Sequence, residues 1–216
     1  MVVEFLFGNL KQHSNPVRSA ILRWPWLAVP DKVATLLEGI HVSNMMRAKS
    51  RDLVKMLAAA RLCPNKIRAK LLRSLGWKIG AGSIVHWGVL PVAPNVIIGA
   101  GAFIGTQVYF DGHGTIEIGD QSRIGPFSKI LSTTHPIENS VPRRIAGKDY
   151  DLDTKIGFGC WVGTSVMILP GVKVADGCVL AAGSVVTKDT EPNGLYAGVP
   201  ARRVRDLLTD GSPPKP

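Results

Sequence analysis

A six-residue period runs through this chain from residue 79 to residue 190, and it restricts the fold more than any other feature. An aliphatic residue opens each unit, at Ile79, Val85, Ile98, Ile104, Ile118, Ile124, Ile130, Ile156, Val162, Ile168, Val174, Leu180 and Val186. Four places later stands a small or β-branched residue: Ser83, Val89, Ala102, Val108, Ser122, Ser128, Thr134, Cys160, Val166, Val172, Cys178, Ser184 and Thr190. No large or charged residue takes that place. A hexapeptide period of this kind is the signature of a parallel β-helix, in which each unit forms one flat side of a prism and three units close a coil. The aliphatic side chains are expected to fill the axis. Glycine in the second place, as at Gly80, Gly99, Gly105, Gly119, Gly125 and Gly157, is expected to let the backbone turn the corner. A β-sandwich would instead alternate with period two and turn about every ten residues.

Charge divides the chain. Its net charge is +10, with 14 Lys/Arg against 4 Asp/Glu in residues 1–78 and 12 against 12 in residues 79–216. Three regions follow: a basic, mainly helical segment over 1–78, the repeat over 79–191, and a closing segment with a tail over 192–216. The basic third suits an anionic partner, whether a phospholipid surface, a nucleic acid or an acidic glycan, and charge does not choose among them. Asp31 caps a run with Val33, Leu36, Leu37 and Ile40 at helical spacing. A second helix is expected over about 50–62, stopped before Pro64. Residues 65–77 repeat the pattern, with Ile67, Leu71, Leu72 and Leu75 on one side and Lys66, Arg68, Lys70 and Arg73 beside them. That segment caps the open end of the solenoid or lies on a membrane surface, and capping ranks first. The apolar run 24–30 is too short and too rich in proline to span a bilayer. The opening MVVEFLFGNL, with Glu4 and no positive leader, does not read as a cleavable signal peptide. Residues 211–216 read as a disordered tail.

Three cysteines without a CxxC pair argue against a zinc site or a disulfide framework. Cys160 and Cys178 lie one coil apart and are expected to stack as reduced packing residues. Gly99, Gly101 and Gly105 fall where the hexapeptide puts them, with no βαβ unit around them, so they do not form a dinucleotide fingerprint. The informative break is the insertion over 136–155, because long excursions from a rigid scaffold display binding and catalytic groups. His135 stands at its root. An imidazole there can take a proton from an alcohol or amine, and Glu138, Asp149, Asp151 and Asp153 lie close enough in sequence to orient it.

The string Ser132-Thr-Thr-His135-Pro, the insertion, then Ile156-Gly-Phe-Gly-Cys-Trp161-Val-Gly-Thr164, Leu169-Pro-Gly-Val, Ala182-Gly-Ser-Val-Val-Thr187-Lys188-Asp and Gly198-Val-Pro-Ala-Arg202-Arg-Val-Arg205 resemble the hexapeptide acyltransferases. The nearest group is the galactoside and maltose O-acetyltransferases and their relatives that decorate bacterial polysaccharides. The resemblance covers about residues 79–206. It implies a left-handed β-helix, a homotrimer, and acetyl-CoA lying between neighbouring prisms. His135 would be the general base that deprotonates an acceptor hydroxyl. Trp161 would lie beside the pantetheine arm and Thr164 near the thioester. Ala182, Thr187 and Lys188 would contact the cofactor, and Arg202 and Arg205 its nucleotide end. Asp149 stands beside Tyr150 where relatives commonly carry Glu, which makes it an acceptor-side carboxylate one methylene shorter. Asp111 is either an acceptor contact or a turn residue. The resemblance implies acetyl-CoA and a saccharide acceptor as partners in a cytoplasmic setting; no nucleic acid is expected, and the charge of the basic third adds peripheral contact with an anionic membrane as the reading ranked after capping. Alternatives are an amino-sugar N-acetyltransferase, an antibiotic acetyltransferase and a β-helix scaffold without chemistry. A zinc-dependent carbonic anhydrase is disfavoured, since His86, His113 and His135 lack the close His-x4-His spacing; no metal is expected.

Overall fold

The computed structural model describes residues 49–137, 139 and 148–209. The helix expected after Asp31, the apolar run 24–30, the chain's opening residues and the 211–216 tail lie outside the described residues. From Arg51 onward the chain forms one compact unit. It begins with helix α1, described over 49–59, and helix α2 (Asn65–Ser74). A left-handed parallel β-helix follows.

Three sheets make the prism. The first contains β1 (Lys78–Ile79), β4 (Val96–Ile98), β7 (Ile116–Ile118), β12 (Thr154–Ile156) and β15 (Lys173–Val174). The second contains β2 (Ile84–Val85), β5 (Phe103–Ile104), β8 (Arg123–Ile124), β13 (Trp161–Val162) and β16 (Val179–Leu180). The third contains β3 (Leu90–Pro91), β6 (Tyr109–Asp111), β9 (Lys129–Leu131), β14 (Met167–Ile168) and β17 (Val185–Val186). The second sheet is extended by β18 (Gly194–Gly198), parallel to β16, and closed by the antiparallel β19 (Ala201–Asp206). One antiparallel arm, β10 (Thr133–Thr134) with β11 (Tyr150–Asp151), projects where the period breaks.

All thirteen aliphatic anchors are buried along the axis. Removing such side chains from water contributes roughly 1.5–3 kcal/mol each. Two residues outside the aliphatic alphabet join them, Pro91 and Phe110, which pair in register on the third sheet with Ile130. Phe110 is fully buried and meets Trp77 edge-on, with ring centroids 5.4 Å apart. The Trp77 indole nitrogen donates to Ala93 O at 2.9 Å, so the aromatic plug at the first coils leaves no polar atom unpaired.

The second-place glycines serve a purpose other than the one expected of them. None has a left-handed φ. A Cβ on Gly80 would stand 2.5 Å from Ala100 N, on Gly125 2.6 Å from Gly163 C, and on Gly163 2.6 Å from Ala182 N. There is no room for a side chain where one corner passes under the next. Left-handed φ falls instead in the fourth place, at Gly101 (64°) and Gly183 (72°) and, with side chains, at Gln107, Gln121, Phe127 and Ser165.

The helices correct two further expectations. The second helix stops at residue 59, and a turn precedes Pro64. On α2, Ile67 is exposed while Arg68 is buried, against the expected apolar and basic sides. Leu72 and Leu75 follow residue 68 by four and seven places, about one and two turns, so the three share the face toward the coil. The Arg68 Nε donates to Ala58 O at 2.8 Å. Its two terminal nitrogens donate to Val85 O at 2.9 Å and to Ala60 O and Cys63 O at 2.8 Å. Burial draws its pKa down from the usual value, an effect the Cys63 thiol opposes. Asn65 Oδ1 also accepts from Val85 N at 3.0 Å. One guanidinium therefore ties the end of α1, the turn and the first coil together, and the two helices cover that coil as the capping reading expects. Arg68→Met should keep much of the volume but leave four carbonyls without their donor. It should cost about 3 kcal/mol or more and lower Tm by about 6–12 °C in a thermal melt.

Candidate active site

The period that builds the prism also sets side chains in columns. On the second sheet the residue before each anchor points outward, and the strands register Phe103 with Arg123, Arg123 with Trp161 and Trp161 with Val179. Leu195 and then Arg205 continue that column. Beside it lies a groove of about 480 Å³, lined by Phe103, Arg123, Ile124, Gly125, Pro126, Trp161, Gly163, Thr164, Val179, Leu180, Ala181 and Ala182. Three residues singled out from the sequence, Trp161, Thr164 and Ala182, thus meet in one place. Trp161 is 60 % exposed and lines the groove. Glycine and alanine at the corners keep the floor shallow, so a long thin apolar chain can lie along it.

Arg202 and Arg205 sit on β19 opposite Ala197 and Leu195, on the face that carries the column. Between them Arg203 is engaged elsewhere. It lies 5.7 Å from the Tyr196 ring centroid and bonds Asp206 Oδ1 at 2.8 Å and Glu191 O at 3.1 Å, holding the closing hairpin. Hydrogen bonds to Tyr196 and then Asp206 raise its pKa. Thr187 and Lys188 are exposed just after β17 and do not line the groove.

His135 follows β10 at the base of the arm. Thr133 pairs with Asp151 and Thr134 with Tyr150, so the next step of the ladder brings Asp149 across from His135. His135 Nδ1 and Asp149 Oδ1 are 3.2 Å apart, with both side chains about half exposed. A carboxylate on Nδ1 keeps the proton there and leaves Nε2 as the acceptor. The other carboxylates near His135 in sequence have different partners. Thr133 Oγ1 donates to Asp151 at 2.6 Å, and Asp153 accepts from Thr115 N at 2.7 Å. Glu138 lies outside the described residues. Asp111 ends β6 as a strand residue rather than a turn residue and faces outward beside Tyr109. Burial, and then the charge of Asp111 and its hydrogen bond, raise the Tyr109 pKa, which keeps the phenol a donor.

Within one chain His135 is not among the residues that line the groove. His135 and the Trp161 groove belong to different sides of the prism. Phe103, Arg123, Pro126 and Val179 were missed from sequence. The signal for three of them was present, since each stands one place before an aliphatic anchor on the side that carries Trp161.

Comparison with known proteins bears on the fold and family. The family described as bacterial transferase hexapeptide (six repeats) matches residues 153–188. Galactoside O-acetyltransferase of Escherichia coli K12 is 35% identical over 113 residues, 52% of this chain and 55% of that protein. The chain spans about half the length of the curated relatives it matches. Among solved structures, a hexapeptide-repeat acetyltransferase of Vibrio cholerae complexed with acetyl-CoA superimposes with a TM-score of 0.64 and 30% identity, covering 74% of this chain and 86% of that one. A maltose O-acetyltransferase of Clostridium difficile gives a TM-score of 0.53 and 28% identity, covering 74% and 88%.

Cys160 precedes Trp161 but points into the core. It is buried, and its Sγ is 3.1 Å from Ala175 O. Burial pushes its pKa up to about 11. Cys178 is fully buried one coil on. Titration of the native protein with a disulfide reagent at neutral pH should therefore modify Cys63 quickly and the other two thiols only on unfolding. Fast reaction of three thiols in the folded protein would contradict this arrangement.

Proposed function

The chain belongs to the hexapeptide-repeat acetyltransferases, and from that premise we propose that it is an acetyl-CoA-dependent O-acetyltransferase acting on a saccharide hydroxyl. The observation that carries the reading is the His135–Asp149 pair, 3.2 Å apart at the root of the arm. Asp149 fixes the ring, so Nε2 accepts the proton of the acceptor hydroxyl as its oxygen attacks the thioester carbonyl. Collapse of the tetrahedral adduct breaks the C–S bond, and the departing sulfur takes up the proton from His135. The Trp161 groove receives the thin pantetheine arm, with Thr164 near the thioester and Ala182 at the groove floor. Arg202 and Arg205 on the same face, and Lys188 with Thr187 at the neighbouring corner, suit the nucleotide end and its phosphates. Asp111 and Tyr109 supply a hydrogen-bonding edge for a hydroxyl-rich acceptor.

A homotrimer completes this site, because one prism keeps His135 and Trp161 on different sides, and a neighbouring prism can bring the two together. The acceptor belongs to polysaccharide or lipid-linked glycan assembly in this proposal. Among the described residues no helix is long and apolar enough to cross a membrane. Peripheral contact through the basic third remains part of the reading. Leu53, Met56 and Leu57 are exposed on α1 beside Arg51 and Lys55, which suits an anionic interface. The intact protein should co-sediment with anionic vesicles at low salt and release at moderate salt, while neutral vesicles leave it in solution.

Coenzyme A release with a panel of sugars and amino sugars tests the chemistry. His135→Ala should lower turnover by roughly 100- to 10,000-fold with little change in acetyl-CoA binding. Asp149→Asn should lower turnover by about tenfold or more through a misoriented ring. His135→Ala and Trp161→Ala chains, unfolded and refolded together, should regain part of the activity that each lacks alone. Wild-type turnover in His135→Ala would overturn the mechanism, and release with amines alone would turn the reading to N-acetylation.

A further inference from the structure

Arg123 is the charged residue in the lining of the groove. It stands in the outward column between Phe103 and Trp161, and it lines the groove with them. Its guanidinium lies 5.8 Å from the centroid of the Phe103 ring and meets no carboxylate among the described residues. The first sheet treats a charge differently, since its Lys155 ammonium pairs with Glu117 at 3.1 Å. An aromatic face steadies a guanidinium and strips part of its water without neutralising it. Arg123 thus stands exposed at the groove with its charge unpaired among the described residues.

The column also gives Arg123 a direction. Neighbouring strands are about 4.8 Å apart. Arg205 lies three strand steps from Trp161, by way of Leu195 and Val179, a span of about 14 Å. That length separates cationic residues suited to phosphates from the indole suited to the far end of the pantetheine arm. Arg123 lies one step beyond Trp161 in the opposite direction. A group that touches Arg205 through its phosphates and Trp161 through its arm has its thioester between Arg123 and the rest of the donor. Arg123 therefore faces what reacts with the thioester.

We propose that Arg123 binds an acidic acceptor: a saccharide whose carboxylate, phosphate or sulfate lies within a few ångströms of the hydroxyl that is acetylated. This rests on the acetyltransferase reading above and names the substrate class of the same site. Phe103 positions the guanidinium, whose fork accepts a planar carboxylate or two phosphate oxygens. The Trp161 face remains free for the sugar or the thioester arm.

The test compares the full-length wild type with Arg123→Gln and Arg123→Lys. Coenzyme A release is measured with methyl glucoside, methyl glucuronide, methyl glucoside 6-phosphate and methyl glucoside 6-sulfate. Saturation-transfer NMR reads binding of the same four probes without acetyl-CoA. Acidic probes should exceed the neutral one in kcat/KM by about 10- to 100-fold. Arg123→Gln should erase that preference through the acceptor KM while the acetyl-CoA KM holds, and Arg123→Lys should restore part of it. Preference among the three acids identifies the anionic group. Equal use of neutral and acidic probes by the wild type, an unchanged preference in Arg123→Gln, or a rise confined to the acetyl-CoA KM would each overturn the proposal. If no probe releases coenzyme A, the acetyltransferase reading fails by itself. NMR then still decides the charge site: binding of acidic probes to wild type but not to Arg123→Gln supports it, and equal binding overturns it.

Discussion

Everything in this molecule is indexed to the closeness of successive corners. Where the chain bends past Gly80, Gly125 or Gly163, the backbone of the next coil occupies the space a Cβ would need. The contact is an excluded volume more than an attraction, and it allows a single stacking register. Once that register is set, each anchor falls over the anchor below it, and each outward residue over its counterpart. A methyl group at one such corner would have to push a whole coil away, because the opposing atoms are main chain and cannot rotate aside.

The main-chain ladder that accompanies this register is supplemented by a few side chains near the corners. Asp120 Oδ1 accepts from Ala100 N at 2.7 Å, and Asp176 Oδ1 accepts from Phe158 N at 2.7 Å. Ser122 Oγ donates to Gly157 O and accepts from Cys160 N. Small fifth-place residues therefore bond the coils as well as fitting inside them. The groove inherits its straightness from this: Phe103, Arg123, Trp161 and Val179 are collinear because the corners beneath them leave no alternative.

The repeat made the prism legible, since a side chain that recurs every six residues and is always apolar can only face the axis. The exceptions were hidden for physical reasons. Pro91 and Phe110 occupy anchor positions without belonging to the aliphatic alphabet. Arg68 groups by sequence with Lys66, Lys70 and Arg73, because a lone cation in a basic helix carries no mark of the four carbonyls awaiting it at the end of α1, in the turn and in the first coil. The role of second-place glycine was misjudged, because composition cannot separate a residue needed for its φ from one needed for its missing side chain. At the site, Trp161, Thr164 and Ala182 followed from motif, and the structure gathers them. The resemblance marks Asp149 as an acceptor-side carboxylate, whereas the structure sets it on the His135 ring; spacing alone does not separate it from Glu138, Asp151 and Asp153 as the orienting group, because an antiparallel arm inserted into a parallel coil obeys a register of its own. Arg123 could have been found by counting one place back from each anchor, but the 136–155 insertion lengthens the count to Trp161 and hides the column.

The inward turn of Cys160 has a chemical consequence. A protein that handles a thioester within one residue of a cysteine risks capturing the acyl group on its own sulfur. Such exchange requires a thiolate, and its rate follows the fraction ionised and the access of the sulfur. With its pKa pushed up to about 11 and its hydrogen directed at Ala175 O, Cys160 presents neither. If a thioester lies in the groove as proposed, the same core packing that holds adjacent coils together keeps this sulfur out of its reach.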